Sequence, residues 1–295
     1  MSLNLIESYK VQSKHLKQRI SDFDTDHFIS INSRTALKKS IKKGLVFLNN
    51  DIAYTSDYVK EGDVIEIFRD ESFEIKTKID LKLEVIYEDD YLAIINKPAG
   101  IVVSGNRHWS IQNALVNNVK NSSQKDALLR PEPVHRLDYP TSGALLIAKT
   151  SQALISLNNM FKDKQINKLY HAIAIGKMEE SGSIGFNIEK KEAKTTYRVL
   201  ESLPSPKYDF LNLLELKPYT GRKHQLRKHL AAIGHPIFGD LLYGKEGFIL
   251  KGKGLFLHAS HLSFIHPITQ EELNISIPLP KKFNRIFDDY SHIMK

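Results

Sequence analysis

The sequence predicts an α/β (α+β) fold whose larger part is a mixed, mainly antiparallel sheet. Three observations favour this class. Several strand-like segments follow each other without a helix between them, which argues against a doubly wound sheet. Residues 84–88 and 91–95 flank Asp89-Asp90 as the arms of a hairpin do. A charged loop at 133–143 leads into the apolar run 144–148, which is typical of a buried strand.

Residues 1–70 are predicted to form a small α/β domain with its core at about 16–70. Residues 33–43 carry Leu37 and Ile41 at helical spacing, and Gly44 is the expected end of that helix. Strands are expected at 45–48 and 64–68. Basic side chains of the helix would lie near one surface, where they could bind RNA or simply face solvent. These residues are Arg34, Lys38, Lys39, Lys42 and Lys43.

Residues 71–80 are charged and lack apolar periodicity, which predicts a linker to a larger domain at 81–295. In that domain, residues 151–164 are predicted to be helical after the cap at Thr150-Ser151. A second helix follows Thr220, with Leu226, Leu230 and Ile233 as its buried stripe. Further strands are expected at 169–175, 195–200, 210–216, 255–257 and 273–277.

Composition narrows the class of protein. With 295 residues, of which 41% are hydrophobic, the chain can bury a substantial core. It has no cysteine, which excludes disulfides, thiol nucleophiles and thiolate metal sites. The N-terminus lacks the apolar core of a signal peptide, and no apolar run is long enough to span a bilayer, so a cytoplasmic protein without membrane contact is expected. A net charge of +8 favours a polyanionic partner, although lysine-rich surfaces are also common solvated surfaces.

Three clusters could carry chemistry. His135-Arg136-Leu137-Asp138 places a carboxylate beside cations in a loop shaped by Pro140 and Gly143. Tyr170 lies on a predicted strand whose alternation puts it on one face with Ala172 and Ala174. The segment 220–230 is rich in arginine and histidine and includes Arg222 and Arg227.

Each cluster also has a purely structural interpretation. Asp138 could cap a turn, and Tyr170 could be an ordinary packed aromatic. Arg222 and Arg227 could belong to a solvated basic helix. His258 with His261, and His224 with His229, could in principle ligate zinc, but no nearby carboxylate or cysteine completes a set, so no metal is predicted.

Taken together, these clusters resemble the RluA-type RNA pseudouridine synthases over about residues 85–280. The resemblance rests on the order and spacing of short motifs that are individually weak. They are Asn96-Lys-Pro98-Ala-Gly100, His135-Arg-Leu-Asp138 with Thr141-Ser-Gly143, Lys168-Leu-Tyr170-His-Ala172 with Gly176, Thr220-Gly-Arg222-Lys-His-Gln-Leu-Arg227, Gly234-His-Pro236 with Gly239-Asp240, and Leu257-His-Ala259 with His266-Pro267.

The resemblance implies a mixed sheet with a central RNA-binding cleft and a reaction without a cofactor. It implies that Asp138 is the essential catalytic residue and that Tyr170 stacks against the target base. Arg227 matches the arginine that forms a salt bridge with the catalytic carboxylate, and Arg136 matches the residue that helps to displace the target nucleotide. Arg222 is a further candidate RNA contact.

The first 70 residues also resemble the small RNA-binding domain named after ribosomal small-subunit protein four. The matching features are Ser33-Arg34, Ile41-Lys-Lys-Gly44-Leu-Val46, Leu48-Asn49 and Lys60-Glu-Gly62-Asp63. By this resemblance, large-subunit ribosomal RNA is the preferred substrate and tRNA the second. A monomer is the default expectation for the oligomeric state. The competing hypotheses are a non-catalytic RNA-binding or ribosome-assembly protein and a nucleoside hydrolase. Hydrolases usually employ two carboxylates, and the motifs supply only Asp138.

Overall fold

The computed structural model describes residues 3–12, 18–28, 30–31, 33–70, 78–248, 252 and 254–287. These residues form two sheets, one of four strands within residues 3–70 and one of ten strands that begins at Glu84. Of the predicted linker 71–80, residues 71–77 lie outside the described part of the chain.

The smaller sheet packs on one basic helix. Its elements are β1 (Leu3–Lys10), α1 (Arg34–Lys42), β2 (Val46–Leu48), β3 (Asp51–Ile52) and β4 (Val64–Asp70). The strand order is β1-β4-β2-β3, and all the pairings are antiparallel. Helix α1 begins where the Ser33 hydroxyl accepts a hydrogen bond from the Ala36 N–H, and it buries Leu37 and Ile41 against the sheet. Strand β1, which precedes the expected core, pairs with β4 along its length.

The larger sheet carries the second set of elements. They are β5 (Glu84–Glu88), β6 (Leu92–Lys97), α2 (Ile111–Ala114), β7 (Ala127–Pro133), β8 (Ser142–Thr150), α3 (Ser151–Lys162), β9 (Asn167–Ile175), β10 (Ser181–Ile184), β11 (Thr195–Ser205), β12 (Asp209–Pro218), α4 (Gln225–Ala232), β13 (Leu257–Ile265), β14 (Glu272–Ser276) and α5 (Lys281–Asn284).

Eight strands run in the order β10-β11-β12-β9-β13-β8-β6-β5, while β14 pairs with β13 and β7 with β8. Among the pairings of described strands, only that of β13 with β8 is parallel. The prediction of a mixed, mainly antiparallel sheet is confirmed. The hairpin prediction is confirmed too, since Val85 lies opposite Ile95 across β5 and β6.

Two local predictions were wrong. Strand β13 extends to Ile265, well beyond the predicted segment 255–257. Ile233 is 37% exposed, whereas Leu226 and Leu230 are buried as predicted. The reason is that α4 ends at Ala232, because Gly234 turns the chain with a φ of +88°, so Ile233 lies past the helical stripe.

A close approach of two central strands positions the charged loop. Gly143 on β8 has a φ of +112°, and a Cβ atom there would lie 2.1 Å from the carbonyl oxygen of Ala259 on β13. Only glycine permits this contact. The loop 134–141 therefore leads into β8 between β13 and β6. No helix among the described residues is long and apolar enough to cross a membrane.

Candidate active site

A cleft of about 870 Å³ opens over the central strands. The loop after β7, residues 161–170 from the end of α3 into β9, residues 217–227 and Leu257 of β13 line it. The structure brings together all the site residues expected in the larger domain, because each of them lines this cleft. They are Arg136, Asp138, Tyr170, Arg222 and Arg227.

Lys97, at the end of β6, holds the loop that carries Asp138. Its side chain is fully buried, and its ammonium group donates to the carbonyl oxygens of Thr141 at 2.7 Å and Pro98 at 2.9 Å. The Gly100 N–H donates to the carbonyl oxygen of Tyr139 at 2.8 Å. Burial lowers the pKa of Lys97 to about 8, and the charge of Asp138 opposes that shift. The backbone that follows Asp138 is therefore fixed from below.

The Asp138 carboxylate lies between two basic side chains. Its Oδ1 is 3.7 Å from Nε2 of His224, and its Oδ2 is 3.8 Å from Nη1 of Arg227. Both distances exceed that of a hydrogen bond. The ion pair of Arg227 with Asp138 is thus a loose one, which leaves the carboxylate oxygens available to a bound group.

The short bonds of Arg227 go to Asp240. Its Nε and Nη2 donate to the two Asp240 oxygens at 2.7 Å each, and both side chains are buried. Asp240 Oδ1 also accepts from the backbone N–H groups of Leu242 and Tyr243. Burial alone would raise the pKa of Asp240, but these hydrogen bonds outweigh it, so the pKa is lowered. This bidentate pair fixes the plane of the guanidinium group.

Tyr170 forms part of the cleft wall and packs against two hydrophobic clusters of the large sheet. Burial, and then the charge of Asp138, raise the pKa of its hydroxyl well above the ordinary value. The phenol is therefore neutral at physiological pH and is a poor base. Tyr170 is thus a packed aromatic residue that also lines the cleft, and its stacking against a base stays a prediction.

His135, which precedes Arg136, also lines the cleft, but its polar contact is structural. Its Nε2 accepts from the Leu146 N–H at 3.0 Å, and its ring lies 4.8 Å from that of Phe161. Burial, followed by the nearby charge of Lys168, lowers its pKa to about 3. His135 is thus a neutral structural residue that anchors the loop to β8.

The rim of the cleft is basic. Arg136 is exposed, and the Arg222 Nε donates to the carbonyl oxygen of Glu192 at 3.0 Å. Tyr219 is 42% exposed and has the ammonium groups of Lys194 and Lys217 at 5.4 and 5.6 Å from its ring centroid. Among the lining residues, Asp138 is the single carboxylate. Eight lining residues are lysine or arginine: Arg136, Lys162, Lys164, Lys168, Lys217, Arg222, Lys223 and Arg227.

Sequence reasoning gave no role to four residues of the site. Lys97 and Asp240 occur in the quoted motifs, so their positions were visible but their partners were not. His224 was considered only as a zinc ligand, and Tyr243 was not considered. Within the described residues, no three histidine or acidic side chains are grouped so that they could hold a metal ion.

Comparison with known proteins identifies the family. Residues 91–232 match the family model described as RNA pseudouridylate synthase. The chain is 35% identical over 284 residues to the ribosomal large subunit pseudouridine synthase C of Rickettsia bellii, an alignment that covers 85% of this chain and 91% of the relative. It is 34% identical over 239 residues to the tRNA pseudouridine synthase C of Vibrio vulnificus, with 70% of this chain and 95% of the relative covered.

A solved structure shows the same fold. The human RNA pseudouridylate synthase domain containing 1 superposes with a TM-score of 0.56 and 28% identity, over 67% of this chain and 84% of that one. The chain belongs to the RNA pseudouridine synthase family. It is therefore an isomerase that acts on RNA.

Proposed function

We propose that this protein converts specific uridines of large-subunit ribosomal RNA to pseudouridine, with Asp138 as the catalytic residue. One observation carries the assignment of Asp138. It is the single carboxylate among the residues that line a cleft rich in lysine and arginine, and its backbone is fixed by Lys97. A polyanion is attracted to such a cleft, and a fixed carboxylate is then presented to it.

The reaction needs few groups because it is an isomerisation. The bond between N1 of the base and C1′ of the sugar breaks, a bond forms between C5 and C1′, and the hydrogen on C5 is replaced by one on N1. Asp138 can attack the sugar or the base, or stabilise positive charge that develops on the sugar. No electrons are gained or lost overall, so the chemistry requires no redox cofactor.

The other cleft residues have separate tasks in this proposal. The uridine must leave its stack, which costs a few kcal/mol. The exposed Arg136 fills the vacated space, and Tyr170 offers its ring to the displaced base, a contact worth about 1–3 kcal/mol. Arg227, held by Asp240, keeps a positive charge beside Asp138 and orients the carboxylate.

Two observations favour ribosomal RNA over tRNA. The relative named for the large ribosomal subunit aligns with 85% of this chain, whereas the relative named for tRNA aligns with 70%. The chain also has the additional small sheet with its basic helix. We propose residues 1–70 as an RNA-binding domain that selects the substrate, joined through 71–80 to a catalytic domain at 81–295.

Helix α1 supports that role with an exposed basic surface. Arg34, Lys42 and Lys43 are exposed, while Lys38 pairs with Asp22 at 3.0 Å across two half-exposed side chains. Burial, together with the charges of Lys39 and Arg130, lowers the pKa of Lys43. Such a group of like charges is stabilised by a phosphate. A monomeric state and a cytoplasmic location stay predictions.

The test is tritium release from RNA labelled at C5 of uracil, with large-subunit ribosomal RNA and bulk tRNA assayed separately. Release from the ribosomal RNA alone is expected. Release from tRNA alone would contradict the proposal that ribosomal RNA is the substrate. Free uracil among the products would indicate a hydrolase. No release from either RNA, with binding intact, would support the non-catalytic alternative.

The contribution of α1 is measured with a double variant, Arg34→Ala with Lys42→Ala. We expect weaker binding of ribosomal RNA and a shallower dependence of affinity on salt, because fewer counterions are released. The rate of the bound complex should be unchanged. Thr35→Ala on the same exposed surface is the control, and equal salt dependence in both proteins would exclude α1 from the RNA interface.

A further inference from the structure

Tyr243 contacts both of the basic groups beside Asp138. Its hydroxyl lies 2.9 Å from Nδ1 of His224. Its ring lies under the guanidinium group of Arg227, with 5.0 Å from the guanidinium carbon to the ring centroid. His224 and Arg227 in turn face opposite oxygens of Asp138.

His224 occupies a conformation that needs support. It is the residue before α4 and has a φ of +57°, in the left-handed region that non-glycine residues seldom adopt. Such strain persists only where the surrounding structure enforces it. The hydrogen bond to Tyr243 ties the imidazole ring of His224 to the segment that also holds Asp240.

The contact with Tyr243 suits the tautomer of His224 that has its proton on Nε2. The Tyr243 hydroxyl can donate to Nδ1, which leaves the ring proton on Nε2, the nitrogen that faces Asp138. An N–H group then points at the carboxylate. With the other tautomer, a lone pair would face the negative charge.

Tyr243 is also tied to the same segment by its backbone. Its N–H donates to Asp240 Oδ1 at 3.1 Å, and Asp240 is the partner that fixes Arg227. Tyr243 belongs to none of the hydrophobic clusters formed by the described residues. Its position is therefore explained by the polar contacts around Asp138 and not by core packing.

We infer that Tyr243 is a positioning residue that aims the Nε2–H of His224 and the guanidinium group of Arg227 at the two oxygens of Asp138. The inference rests on the proposed catalytic role of Asp138. It extends the site to a residue that does not itself reach the reacting atoms, and it assigns His224 the role of a neutral side chain whose N–H group faces the carboxylate.

Two substitutions separate the two contacts. Tyr243→Phe removes the hydroxyl but keeps the ring under Arg227, whereas Tyr243→Leu removes both. We expect the single-turnover rate to fall about 10-fold in the first variant and further in the second, because a mis-set tautomer and orientation act on the reacting state. The dissociation constant for RNA should stay unchanged in both. Tyr208→Phe, in an aromatic cluster with Phe238 and Phe248, is the matched control and should react at the normal rate.

A double-variant cycle with His224→Asn gives the decisive readout. Asparagine tolerates the left-handed backbone of residue 224, so folding should be preserved, as thermal unfolding would show. If Tyr243 acts through His224, the His224→Asn, Tyr243→Phe double variant is no slower than His224→Asn alone. Additive losses, or a normal rate in Tyr243→Phe, would overturn the inference.

Asp138→Asn in the same assay tests the proposed function separately from the role of Tyr243. Full activity in Asp138→Asn would contradict the proposed function. Loss of activity in that variant together with a normal rate in Tyr243→Phe would contradict only the role of Tyr243.

Discussion

The floor and the rim of the cleft are both rich in charge, but they hold it in opposite ways. The floor comprises Lys97, Asp138, Arg227 and Asp240, and the rim comprises Arg136, Tyr219 and Arg222. Lys97, Arg227 and Asp240 are buried and make hydrogen bonds of 2.7 Å. The rim side chains are exposed, and the best-held of them, Arg222, makes one bond to a backbone carbonyl oxygen.

This difference assigns the catalytic step to the floor and the binding of RNA to the rim. A buried charge has lost its hydration, so removal of its partner is costly and the remaining geometry is rigid. An exposed charge stays hydrated and is screened by salt, so it attracts RNA over a distance without fixing a geometry. Changes to the floor should therefore alter stability and rate, whereas changes to the rim should alter affinity.

Asp240→Asn should give the largest effect on stability. It leaves the buried guanidinium group of Arg227 without its counter-charge, and we expect the free energy of unfolding to fall by about 3–5 kcal/mol. Denaturant unfolding measures this loss. The control is Glu215→Gln, which breaks the exposed pair of Glu215 with Arg198 at 3.2 Å and should cost under about 1 kcal/mol. Equal losses in the two variants would remove the distinction between buried and exposed charge.

Acid should destabilise the sheet beneath the floor. His171 on β9 and His258 on β13 are buried, and burial lowers the pKa of each from 6.5 to about 4. Between pH 6.5 and 4 the unfolded chain binds protons that the folded chain does not, so stability falls as the pH falls. Each residue would contribute on the order of 3 kcal/mol by pH 4.

Denaturant unfolding across this pH range tests the effect. His171→Gln should show a shallower decline than the unmodified protein, and His108→Gln, in an exposed loop, should show the same decline. A stability independent of pH below 6.5 would contradict the burial of these rings in their neutral form.

Tyr219→Ala tests whether an exposed side chain of the rim contributes to RNA affinity. If a flanking base stacks on this exposed ring, the free energy of RNA binding should weaken by about 1–3 kcal/mol. Filter binding with the RNA substrate measures the affinity, and the single-turnover rate at saturating enzyme should be unchanged. Trp109→Ala, whose aromatic ring is 53% exposed and does not line the cleft, is the control. A lower rate with unchanged affinity would show that Tyr219 contributes to the catalytic step and not to the binding of RNA.

The sequence revealed the fold class because strand periodicity and the hairpin at Asp89-Asp90 are local signals. It also placed Asp138, Tyr170 and Arg227 in recognisable motifs. It could not show that Arg227 makes its short bonds to Asp240, since that choice depends on how the segment after α4 folds back. The exposure of Ile233 was missed for a similar reason, because helical periodicity does not state where a helix ends.

Lys97 illustrates a further limit. A lysine beside proline is typical of a surface turn, yet this ammonium group is buried against the carbonyl oxygen of its neighbour Pro98 and those of Tyr139 and Thr141, more than forty residues away. Only the tertiary structure shows that the residue supports the Asp138 loop. Motif order therefore indicated which residues form the candidate site, while the contacts that fix their geometry follow from the tertiary structure.

The separation of floor and rim is tested most directly by paired measurements on Asp138→Asn and Arg222→Ala. For each variant, the dissociation constant for ribosomal RNA and the single-turnover rate of tritium release from C5 are determined. We predict that Asp138→Asn binds normally and releases no tritium, while Arg222→Ala binds more weakly but reacts at the normal rate when saturated. Tritium release by Asp138→Asn would contradict this account, and so would a reduced single-turnover rate of saturated Arg222→Ala.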